Sequence, residues 1–203
     1  MMQALRELDL VVLRHCEKAG DGLSDPLTER GRADALRVAE RLSWEGIERI
    51  WASPYRRSLE TILPFAEASG LEVAVDARLA EWQLSDAAMA EIHVHAPKML
   101  SDARYRSPWS ETAEEVWRRV GASLADLSEL EPKRTALACH GGILGAVLMH
   151  LADRFGPEDW ATFHQPTIVA LRQGTWRKLG LDERPGPLGA SPEGAGSALA
   201  GEA

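Results

Sequence analysis

The run from Leu8 to Leu13, LDLVVL, most constrains how this chain can fold. It is short, β-branched and almost continuously apolar, which suits a central strand covered by helices on both faces rather than a strand with one wet side. A second run, RTALAC, ending at Cys139, has the same character. Strands of this kind belong to mostly parallel sheets, and such sheets bind ligands beyond the carboxyl ends of their strands. Both runs stop at a histidine: Arg14-His15 ends the first, and His140-Gly141-Gly142 ends the second.

The segments between them alternate accordingly. Thr28 is placed to N-cap a helix with an apolar face of Ala35, Leu36, Ala39 and Leu42. IERIWA then reads as a strand. Ser53-Pro54 has the chemistry of a helix start, with serine as cap and proline preset at the first helical position. That helix would bury Leu59, Ile62, Leu63 and Ala66, and Pro64 should kink or shorten it. LEVAVD is strand-like. The stretch Ala77 to Ser110 has no clean period and reads as a lid over the core. Helical spacing returns from Glu111 to Leu130 through Val116, Val120, Leu124 and Leu127. ILGAVLMHLA forms a buried helix directly after the glycines, and TIVALRQGTWRKLGL a closing hairpin about Gln173-Gly174. The expected fold is an α/β three-layer sandwich with a mostly parallel central sheet, helices on both faces and a small lid insertion. One domain covers residues 1–181. Of the 22 residues from Asp182 to Ala203, 15 are Gly, Pro, Ala or Ser, the composition of a flexible tail.

Composition narrows the partners. A formal charge of −8 is a poor footprint for a general nucleic-acid binder, although a local basic pocket is compatible with it. Two cysteines, Cys16 and Cys139, make no disulfide framework. The amino-terminal residues lack a signal peptide's long apolar run, and no stretch approaches the roughly 20 apolar residues needed to span a bilayer. A cytoplasmic protein with no membrane partner is expected, and its oligomeric state is open.

Adjacent glycines let a backbone approach a ligand, and the amides opening the following helix can face an anion. IERIWA leads into Ser53-Pro54-Tyr55-Arg56-Arg57, so three strand ends together offer two histidines and three arginines. In order, LVVLRHCEK, SDPLTERGRADA, ASPYRRSLET, RLAEW and ALACHGGIL resemble the histidine phosphatase superfamily, which includes phosphoglycerate mutases and many small phosphatases. The likeness runs from about Leu10 to Leu148, roughly two-thirds of the chain. It implies that His15 is the nucleophile that becomes phosphorylated, that Arg14 and Arg57 bind the phosphoryl group, and that Glu81 is the acid/base carboxylate. Arg57 rather than Arg56 fits the family's spacing, four residues after Ser53 and four before Thr61. His140 matches the second histidine, a further phosphate donor if protonated, with Gly141 beside it. The helix with Glu111, Thr112 and Arg119 is expected to serve mainly packing. Cys16 stands where the family usually has glycine.

The implied activity is metal-independent hydrolysis of a small phosphorylated metabolite through a phosphohistidine, with no cofactor. The alternatives are a phosphoglycerate-type phosphomutase and a non-catalytic phosphate- or phosphoprotein-binding module. His93 and His95 would share one face of a strand and could bind a metal, or could join Lys98, Arg104 and Arg106 in contacting the distal part of a substrate. Cys16 and Cys139 adjoin the two histidines, where a cationic pocket favours thiolate and redox control, but they also suit a buried core. The tryptophans are read as packing and lid residues.

Overall fold

The computed structural model describes residues 2–83, 91–107 and 110–184. A short helix α1 (Met2–Arg6) precedes β1 (Asp9–Arg14); then come α2 (Glu29–Ser43), β2 (Arg49–Ala52), α3 (Arg56–Ser69) and β3 (Val73–Val75). A 3₁₀ turn over Ala77–Leu79 leads to α4 (Ile92–Ser101) and α5 (Ala113–Ser128). The chain then forms β4 (Thr135–Cys139), α6 (Gly141–Leu151), α7 (Pro157–Ala161), β5 (Thr167–Arg172) and β6 (Thr175–Lys178). The six strands lie in the order β3-β2-β4-β1-β5-β6. The first four are mutually parallel, and the β5-β6 hairpin pairs antiparallel against β1.

Alternation along β1 divides its apolar residues between two cores. Leu10 and Val12 pack with Leu137, α5 and α6, while Val11 and Leu13 pack with Ala136, Ala138, α2 and α3. Both faces are therefore dry, which is why the strand reads as an unbroken apolar run. Val116, Val120, Leu124 and Leu127 are all buried, and Thr112 closes a capping box with Glu115 at the start of α5. Among the described residues, no helix is long and apolar enough to cross a membrane.

Several local expectations are corrected. Leu36 is 65% exposed, and Val38 and Arg41 are buried instead, so the inner stripe of α2 is rotated from the expected face. Helix α3 starts at Arg56 with Tyr55 as its N-cap; the Ser53 hydroxyl accepts from the Tyr55 N–H at 3.3 Å and pairs with His140 rather than capping an amide of the first turn. Pro64 does not end α3, which continues to Ser69 and closes on Gly70 at φ 71°. Phe65 and Ala66, just past the proline, are buried, and that burial outweighs the backbone hydrogen bond a proline removes. Helix α6 includes both glycines, with His140 as its N-cap. His93 and His95 lie on α4, not on a strand. Two positions apart on a helix is about 200° of rotation, so they do not share a face.

The lid stretch contributes the 3₁₀ turn and α4; residues 84–90 and 108–109 lie outside the described residues, as does the expected tail from residue 185 onward. At the near end of that expected tail, Asp182 pairs with Arg37.

Candidate active site

His15 directly follows β1. Its backbone N–H donates to the Cys139 carbonyl at 3.0 Å, prolonging the β1-β4 pairing by one residue, and its ring is buried. Nδ1 lies 2.7 Å from the Cys16 carbonyl, which can only accept, so the ring proton sits on Nδ1. Nε2 therefore carries the lone pair, and it accepts from Arg57 Nε at 3.2 Å. Burial, reinforced by the charges of Arg57, Arg14 and Lys18, pushes the His15 pKa down to about 3, against the pull of the Cys16 hydrogen bond. The imidazole is neutral at physiological pH.

Cys16 turns away from this ring into the core beneath α2 and α3, and its N–H donates to Thr61 Oγ1 at 3.0 Å. Thr61 in turn donates to the Arg57 carbonyl at 2.8 Å, so Cys16 and Arg57 are tied through one hydroxyl. The expectation of a thiolate is overturned. Burial pushes the Cys16 thiol up to about 12 against its hydrogen bond with Thr61, and burial with the charge of Glu81 pushes the Cys139 thiol up as well.

Arg57, at the start of α3, is buried and donates to the Asp21 and Gly22 carbonyls, pinning the loop after His15. Its guanidinium also lies 4.3 Å from the centre of the Tyr55 ring. Arg56 points outward and pairs with Glu60, as expected from the spacing. Arg14 donates through one terminal nitrogen to the Phe163 carbonyl at 2.8 Å, while its Nε is buried without a hydrogen-bond partner. A Cβ on residue 141 would lie 3.1 Å from Arg14 Nε, so glycine there gives the guanidinium room. Residue 142 is constrained likewise: its Cβ would come 2.8 Å from Glu81 Oε1.

His140 is wholly buried, its Nε2 2.7 Å from Ser53 Oγ and its ring edge-on to both His15 and Tyr55. Burial and the neighbouring cationic groups hold its pKa well below the usual histidine value, so it too is neutral in the free protein. Its Nδ1 has no hydrogen-bond partner and lies 3.9 Å from Glu81 Oε2. Glu81 has its pKa raised by desolvation, against the Trp82 N–H and the charges of Arg14, Arg57 and Lys18.

Arg119 is more than a packing residue. Its guanidinium donates to the carbonyls of Arg78, Ala80 and Glu81 and pairs with Glu111, clamping the turn that carries the Glu81 side chain.

Arg14, His15, Lys18, Glu81 and Gly141 open onto one pocket of about 180 Å³ with Trp82, Met99, Leu100, Trp160 and Gln165. Lys98, Arg104 and Arg106 are not among its described lining residues. Lys98 lies over the Tyr105 ring, and Arg106 pairs with Glu115. The expected cationic contacts to a distal substrate group are thus replaced by Ala96, Met99 and Leu100, the residues of α4 that face inward. His95 hydrogen-bonds the Tyr105 hydroxyl, and among the described residues no three His, Cys, Asp or Glu side chains cluster as a metal site.

Sequence reasoning missed Ser53, Thr61, Arg119 and the pocket-facing side of α4. The first two stood in the spacing used to choose Arg57. For the others no local signal existed, since their roles depend on what packs against them.

Residues 10–180 match the histidine phosphatase superfamily, branch 1. The chain belongs to that superfamily. This histidine phosphatase is 33% identical over 162 residues to a probable phosphoglycerate mutase of Enterobacter sp. (strain 638), covering 70% of this chain and 73% of the relative. It is 27% identical over 205 residues to a glucosyl-3-phosphoglycerate phosphatase of Mycobacterium tuberculosis, with 90% and 89% of the two chains covered. The solved structure of a mycobacterial glucosyl-3-phosphoglycerate phosphatase is similar at a TM-score of 0.65 and 26% identity, over 84% of this chain and 96% of that one.

Proposed function

We propose that this histidine phosphatase hydrolyses a small phosphate monoester through a phosphohistidine on His15, without a metal ion. The observation that carries this reading is the His15 ring itself. It is neutral and buried, its proton is committed to the Cys16 carbonyl, its Nε2 accepts from Arg57, and close by the Nε of the pocket-lining Arg14 and the Nδ1 of His140, whose ring is edge-on to that of His15, are buried without hydrogen-bond partners. Buried donors without partners carry a large desolvation cost, and a phosphate oxygen is an acceptor that relieves it. The phosphatases and the mutase among its relatives support the same chemistry.

In the first displacement, the Nε2 lone pair attacks phosphorus as the bond to the alcohol oxygen breaks. Glu81, in the protonated form that desolvation favours, gives its proton to the departing oxygen. Arg14 and Arg57 hold the non-bridging oxygens with fixed positive charge, in a site where fewer water dipoles screen them. If the Ser53 hydroxyl donates to His140 Nε2, the ring proton of neutral His140 lies on Nδ1 and faces the same oxygens. The amides opening α6 at Gly141 add their dipoles. In the second displacement, Glu81 as carboxylate takes a proton from water and the resulting oxygen attacks phosphorus. The P–N bond breaks, and its electron pair returns to Nε2.

The mutase alternative draws on the 33% identical relative. It requires the reacting intermediate to turn while held, and phosphate exchange between positions of one substrate in the presence of a bisphosphate would favour it. This reading assigns the enzyme to the cytoplasm with a metabolite rather than nucleic acid as partner, consistent with two free, buried cysteines and a charge of −8.

The test is hydrolysis of p-nitrophenyl phosphate in EDTA by wild type and His15→Ala. Turnover that survives EDTA and falls at least about 100-fold in the variant is expected. A variant that keeps more than a few per cent of the activity rejects the phosphohistidine route.

A further inference from the structure

The pocket lining divides by chemistry. Arg14, His15, Lys18 and Glu81 supply its charged and titratable groups, while Ala96, Met99, Leu100, Trp82 and Trp160 supply apolar surface. Ala96, Met99 and Leu100 stand at the i, i+3, i+4 spacing that puts them on one stripe of α4, and all three are buried.

The two indoles are fixed as apolar walls. Trp160 Nε1 donates to the Gly141 carbonyl at 3.2 Å, and Trp82 Nε1 donates to the Glu111 carbonyl at 3.0 Å. With both N–H groups used on backbone, the rings have no further donor for a ligand. Trp160 and Leu100 also meet over Gly145, where an added Cβ would lie 3.1 Å from the indole and 3.2 Å from the leucine. The apolar wall is thus continuous with α6, the helix that opens beside the phosphate site.

Polar recognition beyond the phosphate is sparse. Among the described lining residues, Gln165 is the one neutral polar side chain apart from the reacting His15. Lys18 pairs with Asp21 and lines the pocket beside Arg14, where burial and then the charges of Arg57 and Arg14 lower its pKa, so it belongs with the cations at the phosphate end. Of the cations expected to meet a distal carboxylate, Lys98 and Arg106 are engaged by Tyr105 and Glu115, and Arg104 is not among the described lining residues. A polyhydroxy or carboxylated alcohol entering here would leave hydrogen-bonding groups against hydrocarbon, at a cost that an apolar alcohol avoids. Size points the same way: an apolar cavity of about 150 Å³ suffices for benzene, and this pocket of about 180 Å³ must also take the phosphate.

We infer that the substrate is a phosphate monoester whose alcohol half is compact and apolar, a single ring or a short branched chain, rather than a sugar, glycerate or amino acid. This inference rests on the phosphatase reading above and names the substrate class of the same site.

The experiment compares kcat/KM for benzyl phosphate and isopentyl phosphate with glycerol phosphate, 3-phosphoglycerate, phosphoserine and glucose 6-phosphate, all esters of alcohols that are poor leaving groups. p-Nitrophenyl phosphate serves as the activated reference. The two apolar esters should exceed each polar one by ~10-fold or more. Met99→Gln, which keeps side-chain length but adds an amide, should reduce the ratio of benzyl to glycerol phosphate. Equal rates across the series, or a preference for any polar ester, would overturn the inference while leaving the phosphatase assignment standing. Failure to hydrolyse p-nitrophenyl phosphate as well would remove the phosphatase reading, and the substrate class with it. The wild-type series decides the question even if Met99→Gln fails to fold.

Discussion

On the proposed route His15 attacks phosphorus as a neutral base, and burial among cations keeps its ring in that form. The cost is borne by folding. The free imidazole pKa is near 6.5, whereas folded His15 is held at about 3, so between those values the unfolded chain binds a proton that the native state does not. Stability is therefore complete above about pH 6.5 and declines as the pH falls toward 3. His140, depressed for the same reason, adds a slope of the same sign. For His15 alone the loss between pH 7 and 4.5 is about 3 kcal/mol. His15→Gln, which cannot ionise, should lose less of its urea midpoint over that interval than wild type. Equal losses would mean that the ring is not buried as the neutral base. At the residue scale Arg14 and His15 stood out at a strand end, and the resemblance to the family picked Arg57 by its distance from Ser53 and Thr61. The neutral state of His140 and the inert thiols did not stand out, since both follow from burial in three dimensions.

Helix α5 carries Arg119, which holds the segment that bears Glu81. Arg119 holds three carbonyls of the 78–81 segment and the Glu111 carboxylate in one planar fork, a task a lysine cannot repeat. Arg119→Lys should lower kcat about 10-fold on alkyl phosphates, which need a proton from Glu81, and leave p-nitrophenyl phosphate nearly unchanged. Thr112→Ala, which breaks the capping box of the same helix, should instead cost about 1 kcal/mol of stability without altering the ratio of the two substrates. If both variants changed only stability, Arg119 would be a structural clamp with no part in positioning Glu81. The period of α5 was legible from its apolar residues. That of α4 was not: its inward stripe is only three residues wide, and His93 and His95 suggested a strand by their alternation.

For the whole molecule, the sheet order places β1 and β4 side by side, so that two motifs separated by more than half the chain end at one pocket. The β5-β6 hairpin then closes the sheet on the other side of β1, and Leu179 packs under α2 and α3. With these contacts complete by residue 184, and with the composition beyond it poor in apolar side chains, a chain ending at Arg184 should keep its thermal midpoint and its turnover. A fall of several degrees in the midpoint would show that the carboxyl-terminal residues take part in the fold.

The sequence by itself determined which segments are doubly covered strands, which helices pack on them, and which histidines and arginines stand at strand ends, because burial period and turn chemistry are local properties of the chain. Tertiary structure alone decided the rest. It turned Ser53 from a helix cap into a partner of His140, made Arg119 the anchor of the Glu81 turn, raised the thiols out of reach of ionisation, and set Met99, Leu100 and Trp160 beside Arg14 and Lys18 in the pocket in place of the expected Lys98, Arg104 and Arg106. Those outcomes depend on which surfaces meet and which charges lose water when they do, and neither is written in the spacing of residues along one segment.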